Sequence, residues 1–200
     1  MALSTESARP SEASHDRRAV RTRDAVHAAA IALVTERGTS DVALAEIASA
    51  AGVSRQTIYL HYRDRDDALI AAAVDLFATH LVPTAEHADE DLAVNALATH
   101  FDAYRAFYRA MMDGPCGTQL NRRVFELIQP FNRQVVRGLL GNDIPDRVIG
   151  DISVVLTGGV EKFVTDWVVS VDPDAPEVFA SRLMVAIQTM THATERTETR

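Results

Sequence analysis

Residues 44–62 read Leu44-Ala45-Glu46-Ile47-Ala48-Ser49-Ala50-Ala51-Gly52-Val53-Ser54-Arg55-Gln56-Thr57-Ile58-Tyr59-Leu60-His61-Tyr62, and this stretch decides the fold. Leu44, Ile47, Ala48 and Ala51 recur at three- and four-residue steps, which marks one face of a short helix. Gly52 stops it, because the turn needs a backbone conformation that a Cβ disfavours. Ser54 is a good N-cap for a second helix carrying Ile58, Tyr59 and Tyr62. The spacing has a steric reason: where two helices cross, only a small side chain such as Ala48 fits. Ile58, ten residues on, then plugs the angle between them, with Ile47, Ala51 and Val53 completing a miniature core. Such spacing also arises by chance in alanine-rich helices, so the flanking sequence has to be weighed with it.

Upstream, Asp24 to Arg37 places Ala25, Ala28, Ala29, Ala32 and Leu33 on a helical stripe that ends at Gly38. Four arginines, Arg17, Arg18, Arg21 and Arg23, precede it, as a solvated helix start or as a basic arm for phosphates. Residues 1–16 have no apolar period and are expected to be a disordered tail. Downstream, Asp64 reads as the N-cap of a helix with Asp66 and Asp67 in its first turn, burying Leu69, Ala72, Ala73 and Leu76 and ending before Pro83. Residues 89–112 form one stripe through Leu97, Phe101, Tyr104, Tyr108 and Met111. Residues 118–140 form another through Val124, Ile128, Phe131, Val135 and Leu139, which Pro130 should kink or divide. Residues 146–171 are apolar on more than one face, which predicts a helix buried on both sides, and a last helix covers 176–192. Neither strand alternation nor an internal repeat is visible. The fold class is all-α: a three-helix head at 17–65, a helical body at 66–192 and a short tail at 193–200.

Composition narrows the function classes. The chain has 200 residues, 47% of them apolar and 24% charged, with nine glycines and seven prolines, which fits a globular protein with a real core. A single cysteine, Cys116, excludes an intramolecular disulfide framework and a thiolate metal cluster. No apolar run reaches the roughly 20 residues of a membrane span. The first residues lack a basic head followed by an apolar run, so the expectation is a cytoplasmic protein with no membrane partner. Residues 1–65 carry nine arginines against eight acids, whereas 66–200 carry eleven cations against twenty acids. The overall charge of −8 is not that of an obvious nucleic-acid binder, so any such role has to rest on local arrangement. Phosphate-binding, nucleophile-elbow and zincin motifs are absent, and the seven histidines show no ligand spacing, so neither an enzyme nor a metal or cofactor is expected.

The run from Glu46 to Tyr62 resembles the N-terminal domain of TetR-family transcriptional regulators: Ile47-Ala48, then Ala51-Gly52-Val53-Ser54, then Thr57-Ile58-Tyr59, then Tyr62 before a capped start at Asp64-Arg65-Asp66. Ala29, Ala30 and Glu36-Arg37-Gly38 match the first helix of that domain, and the resemblance spans about residues 22–75. Three residues depart from the pattern. Ala43 replaces a capping hydroxyl, Gln56 a small residue, and Arg65 the usual lysine.

The resemblance implies a double-stranded DNA operator read as a homodimer. The helix from Ser54 would enter the major groove, with Arg55 pairing to guanine, Gln56 to adenine, and Thr57 meeting a thymine methyl or a phosphate. Tyr59, His61 and Arg65 would hold the DNA backbone. Two copies would pair through 146–171 and 176–192 as a four-helix bundle. A small apolar or aromatic effector would sit among Phe101, Tyr104, Tyr108, Met111, Phe125, Phe131, Phe163 and Trp167, although an aromatic stripe at helical spacing equally describes plain core. Arg105, Glu161 and Asp166 are alternative polar handles for it. The expected function is that of a repressor released by this effector. The alternative is a ligand-independent architectural or protein-interaction module that keeps the helix-turn-helix.

Overall fold

The computed structural model describes residues 10–87, 90–141 and 143–195, and among these the only regular structure is helical. The helices are α1 (Pro10–Arg37), α2 (Leu44–Ala50), α3 (Arg55–His61), α4 (Arg65–His87), α5 (Glu90–Ala103), α6 (Arg105–Met112), α7 (Gly117–Leu140), α8 (Asp146–Val169) and α9 (Pro176–Glu195). Proline opens α1 without loss, because the first N–H groups of a helix have no partner within it. The expected tail at 1–16 is therefore shorter: residues 10–16 are the first turns of α1, and 1–9 lie outside the described residues. At the other end 193–195 belong to α9, and 196–200 lie outside the described residues.

The α1 stripe is rotated from its expected position. Val26, Ala29, Ala30 and Val34 are buried while Ala28 and Ala32 face outward, since the larger valines displace alanine from the core. Neither internal proline stops its helix. Pro83 lies within α4 and Pro130 within α7. The carbonyls their missing N–H groups would have met belong to Thr79 and Glu126, both on exposed faces rather than in the packing. The single helix expected over 89–112 is broken at Tyr104 (φ −113°, ψ 22°), which turns α6 out of line with α5. Long-range bonds hold the turned segment: Arg105 Nη1 donates to the carbonyl of Trp167 at 2.7 Å, and its guanidinium lies 4.0 Å above the Trp167 ring. Helix α8 is not buried all round, because Val155 is 68% exposed and Val148 and Val154 also face outward.

One continuous core runs from Val26 and Val34 of α1 through Leu69 and Phe77 of α4 and Phe107 of α6 to Phe179 and Met184 of α9. The expected division at residue 65 cuts through it, since Ala68, Leu69, Ala72 and Ala73 of α4 are fully buried in the same core. Helix α4 packs against α1 at one end and against α5 and α7 along its length. By length and composition, Arg65–Thr84 is apolar enough to cross a membrane, yet here its apolar face packs within the core.

Two buried polar features sit in this packing. His100, 4% exposed, places Nε2 2.8 Å from the Tyr108 hydroxyl and Nδ1 3.3 Å from Nδ1 of His80. Burial, aided by His80, lowers the pKa of His100 to about 4. The second joins the head to the body. Gly114, in the turn before α7, lies against Ser40 after α1, and a Cβ on Gly114 would stand 2.0 Å from Ser40 Oγ. That hydroxyl is buried and has no hydrogen-bond partner.

Candidate nucleic-acid interface and cavity

The turn between α2 and α3 fixes the angle at which α3 is presented. Gly52 adopts φ +66°, its N–H donates to Ser49 O at 3.1 Å, and Val53 N–H donates to Ala48 O at 3.0 Å. Ala48 is buried at the crossing, and Ile47 and Ile58 are fully buried beside it. Ser54 Oγ accepts the Thr57 N–H at 3.0 Å, and the two hydroxyls are 2.8 Å apart. Thr57 thus spends its side chain on the cap. At α2, Ala43 has no hydroxyl to accept a first-turn N–H, and Glu46 supplies only the reverse half of a capping box. Its carboxylate accepts the Ala43 N–H at 2.8 Å and binds Arg37 at 2.8 and 3.1 Å. The Arg37 guanidinium, with that backbone bond, brings the pKa of Glu46 down to about 2.

The far end of α3 is held by a buried relay. Tyr62 closes the helix, and its hydroxyl is 3.0 Å from His27 Nε2, while His27 Nδ1 is 3.1 Å from Asp75 Oδ2. A carboxylate can only accept, so Nδ1 of His27 is the donor to Asp75. Burial raises Tyr62 to about 12, keeping it a donor. Side chains from α1, α3 and α4 are thereby linked.

With Ile58 and Tyr62 turned inward, α3 leaves Arg55, Gln56, Tyr59, Leu60 and His61 exposed. His61 borders an open groove with Arg23 of α1. Arg17, Arg18, Arg21 and Arg23 are exposed along the same helix. Arg65 is set differently: Nε donates to Asp66 at 2.8 Å and Nη1 to Asp41 at 2.6 Å, so a phosphate would compete with two carboxylates. Of the six side chains singled out for DNA, Arg55, Gln56, Tyr59 and His61 are free on one surface, whereas Thr57 and Arg65 are engaged internally.

Within the body lies a cavity of about 200 Å³, walled by α4, α5, α6, α7, α8 and α9. Phe101, Tyr108, Phe125 and Phe131 line it. The other four expected wall residues lie elsewhere. Met111 is fully buried in the core, and Tyr104 packs on His80 and His100. Phe163 meets Phe179, and Trp167 stacks on Phe179 at 4.0 Å. Size and periodicity fit wall and core alike, so the aromatic stripe could not separate them. The residues missed are mostly aliphatic, among them Val124, Ile128 and Val135 of α7 and Leu156, Val160 and Val164 of α8, with Phe77 of α4 and the amides Asn121 and Asn132 beside them. Of the three polar handles, Arg105 is committed to Asp102 and Trp167, and Asp166 is paired with Lys162. Glu161 is at the wall.

A capped helix presented on a two-helix turn, over a helical body with an apolar cavity, defines a helix-turn-helix regulator architecture. Residues 27–72 match the family described as "Bacterial regulatory proteins, tetR family", and the chain carries that family's domain at its head. Among solved structures, the chain is similar to the fatty acid degradation regulator FadR from Bacillus halodurans (17% identity, 80% of this chain and 94% of that one, TM-score 0.56). It is also similar to the TetR family repressor AlkX from a Dietzia strain, implicated in biodegradation of n-alkanes (22% identity, 86% and 95%, TM-score 0.56). A third is the dihydroxyacetone kinase operon activator DhaS (11% identity, 86% and 97%, TM-score 0.59). At these identities the likeness is one of fold. No curated protein matches the chain by sequence.

Proposed function

We propose that the protein is a homodimeric transcriptional repressor that reads an operator through α3 and is released when a small apolar effector enters the cavity. The observation that carries this reading is the division of α3. Ile58 and Tyr62 anchor one side, while Arg55, Gln56, Tyr59 and His61 stand free on the other. Arg55 would take both acceptors of a guanine edge, and Gln56 would accept from N6 and donate to N7 of an adenine. Tyr59, His61 and the arginines of α1 would position the backbone. Arg65 contributes only where a phosphate displaces Asp41 or Asp66. The acidic body, with eleven cations against twenty acids, disfavours non-specific DNA.

Two heads must span adjacent major grooves, about 34–36 Å apart. Val148, Val155, Val178 and Val185 leave apolar faces open on α8 and α9, which pack on one another, and their pairing with a second copy would make a four-helix bundle. Helix α4 would give the effector a route to the head, because Phe77 and Leu81 line the cavity while the same helix packs on α1 and buries Ala68 and Leu69 in the shared core. Repression rather than activation is taken from the analogy with AlkX, a TetR family repressor, against that with the activator DhaS. A ligand-independent module would have no use for a cavity of this size.

The test is fluorescence anisotropy with DNA from upstream of the protein's own gene against scrambled DNA, at two salt concentrations. Preferential binding is expected. Arg55→Ala should cost about 1–3 kcal/mol and relax preference at one base pair, whereas Tyr59→Phe should weaken all sites alike. Equal affinity of wild type and both variants for every DNA would refute the reading.

A further inference from the structure

The cavity wall is apolar except for two amides of α7, Asn121 and Asn132, and one line of α8. Leu156, Val160 and Val164 give that helix an apolar edge facing the space, and Thr157, Glu161 and Thr165, spaced four apart, run beside it. Thr157 is already satisfied: it accepts from Asn132 Nδ2 at 2.8 Å and donates to Ser153 O at 2.7 Å. The Tyr108 hydroxyl is taken by His100 and the Ala73 carbonyl. Glu161 makes no hydrogen bond or ion pair with another described residue. Among the described residues of the wall it is the only acid, and no arginine, lysine or histidine stands with it. Three cations of the body are engaged with other acids: Arg105 with Asp102, Lys162 with Asp166, and Arg182 with Asp174.

We infer that the effector is a lipophilic cation, an apolar body carrying a protonated amine, with its positive end at Glu161. A carboxylate or phosphate drawn into this space would lose water, gain no cationic partner and face a like charge. An ammonium group loses the same water and is paired. The inference rests on the cavity being the effector site. The space of about 200 Å³ suits a small apolar body, so an eight-carbon chain with its head at the rim is the probe.

The test is calorimetric titration of the full chain at pH 7 with three probes of one length: 1-octylamine (protonated), 1-octanol and octanoate. The amine is expected to bind at least tenfold tighter than octanoate, with octanol between. Glu161→Gln keeps the shape and breaks no described contact, and should bring the three within about threefold of one another. This variant also controls for the acidity of the protein as a whole. Val160→Phe fills the space and should weaken all three. Octanoate binding as tightly as the amine, or a preference that survives Glu161→Gln, would overturn the charge assignment and leave the cavity standing. Failure of all three probes to bind, or binding indifferent to Val160→Phe, would remove the cavity as an effector site and the inference with it.

Discussion

Acid should act on this protein through His100, and the effect is large enough to isolate. The imidazole is buried against Tyr108 with a folded pKa near 4, while the unfolded chain titrates it at the ordinary 6.5. Between those values the unfolded chain holds a proton that the folded chain does not. Stability therefore falls as pH drops through about 6.5, and the loss is complete below about 4. One pKa unit is about 1.36 kcal/mol, so this site should cost about 1 kcal/mol at pH 5.5 and about 2–3 kcal/mol at pH 4.5, relative to pH 7.5. Carboxylates such as Glu46, Asp67 and Asp146, whose pKa values are lowered, begin to cost stability at still lower pH, so the measurement has to be a difference. His100→Gln places an amide where Nε2 meets Tyr108 and cannot be protonated in this range. Urea unfolding of both proteins at pH 7.5, 6.5, 5.5 and 4.5 should give curves that converge as pH falls, wild type losing about 2–3 kcal/mol more than the variant. Parallel curves would refute the buried, neutral imidazole.

Two further perturbations bear on the fold. Ser40→Ala removes a buried hydroxyl without a partner and should leave stability unchanged or raise it by up to about 1–3 kcal/mol. Gly114→Ala should destabilise wild type because its Cβ meets Ser40 Oγ, and less so in the Ser40→Ala background; a double-mutant cycle in thermal melts that shows strict additivity would disprove the contact. Ile58→Ala empties the plug of the helix-turn-helix and should cost about 2–5 kcal/mol, read in urea unfolding, and a loss under about 1 kcal/mol would mean the crossing is not packed as described.

The head was legible because its determinants are local. The Gly52 turn, the Ser54 cap, the small Ala48 and the Ile58 plug all act within a dozen or so residues of one another. What escaped the sequence was set from a distance. The break at Tyr104 depends on Arg105 reaching Trp167, 62 residues away. The commitment of Arg65 depends on Asp41, 24 residues back. Whether a proline ends a helix depends on the exposure of the carbonyl four residues before it, and Thr79 and Glu126 are outside the packing. The cavity is the sharpest case, because a stripe such as Val124, Ile128, Phe131 and Val135 has the same period whether it meets other side chains or empty space. Glu161 was legible as a polar handle, but the spacing that sets Thr157 and Thr165 in line with it beside Leu156, Val160 and Val164 was not drawn from the sequence.

Helix α4 stands in both the head and the cavity wall, and that double placement divides the protein's freedom to change. A substitution on the cavity-facing sides of α7 or α8 alters the cavity without changing a residue of α4. The same substitution at Phe77 or Leu81 alters the helix that packs on α1 of the head. Under the proposed function, drift in the effector should therefore accumulate on the far walls, while α4 keeps effector site and DNA-binding head inherited as one unit. For the same reason a head cut free at residue 65 would leave its own core behind.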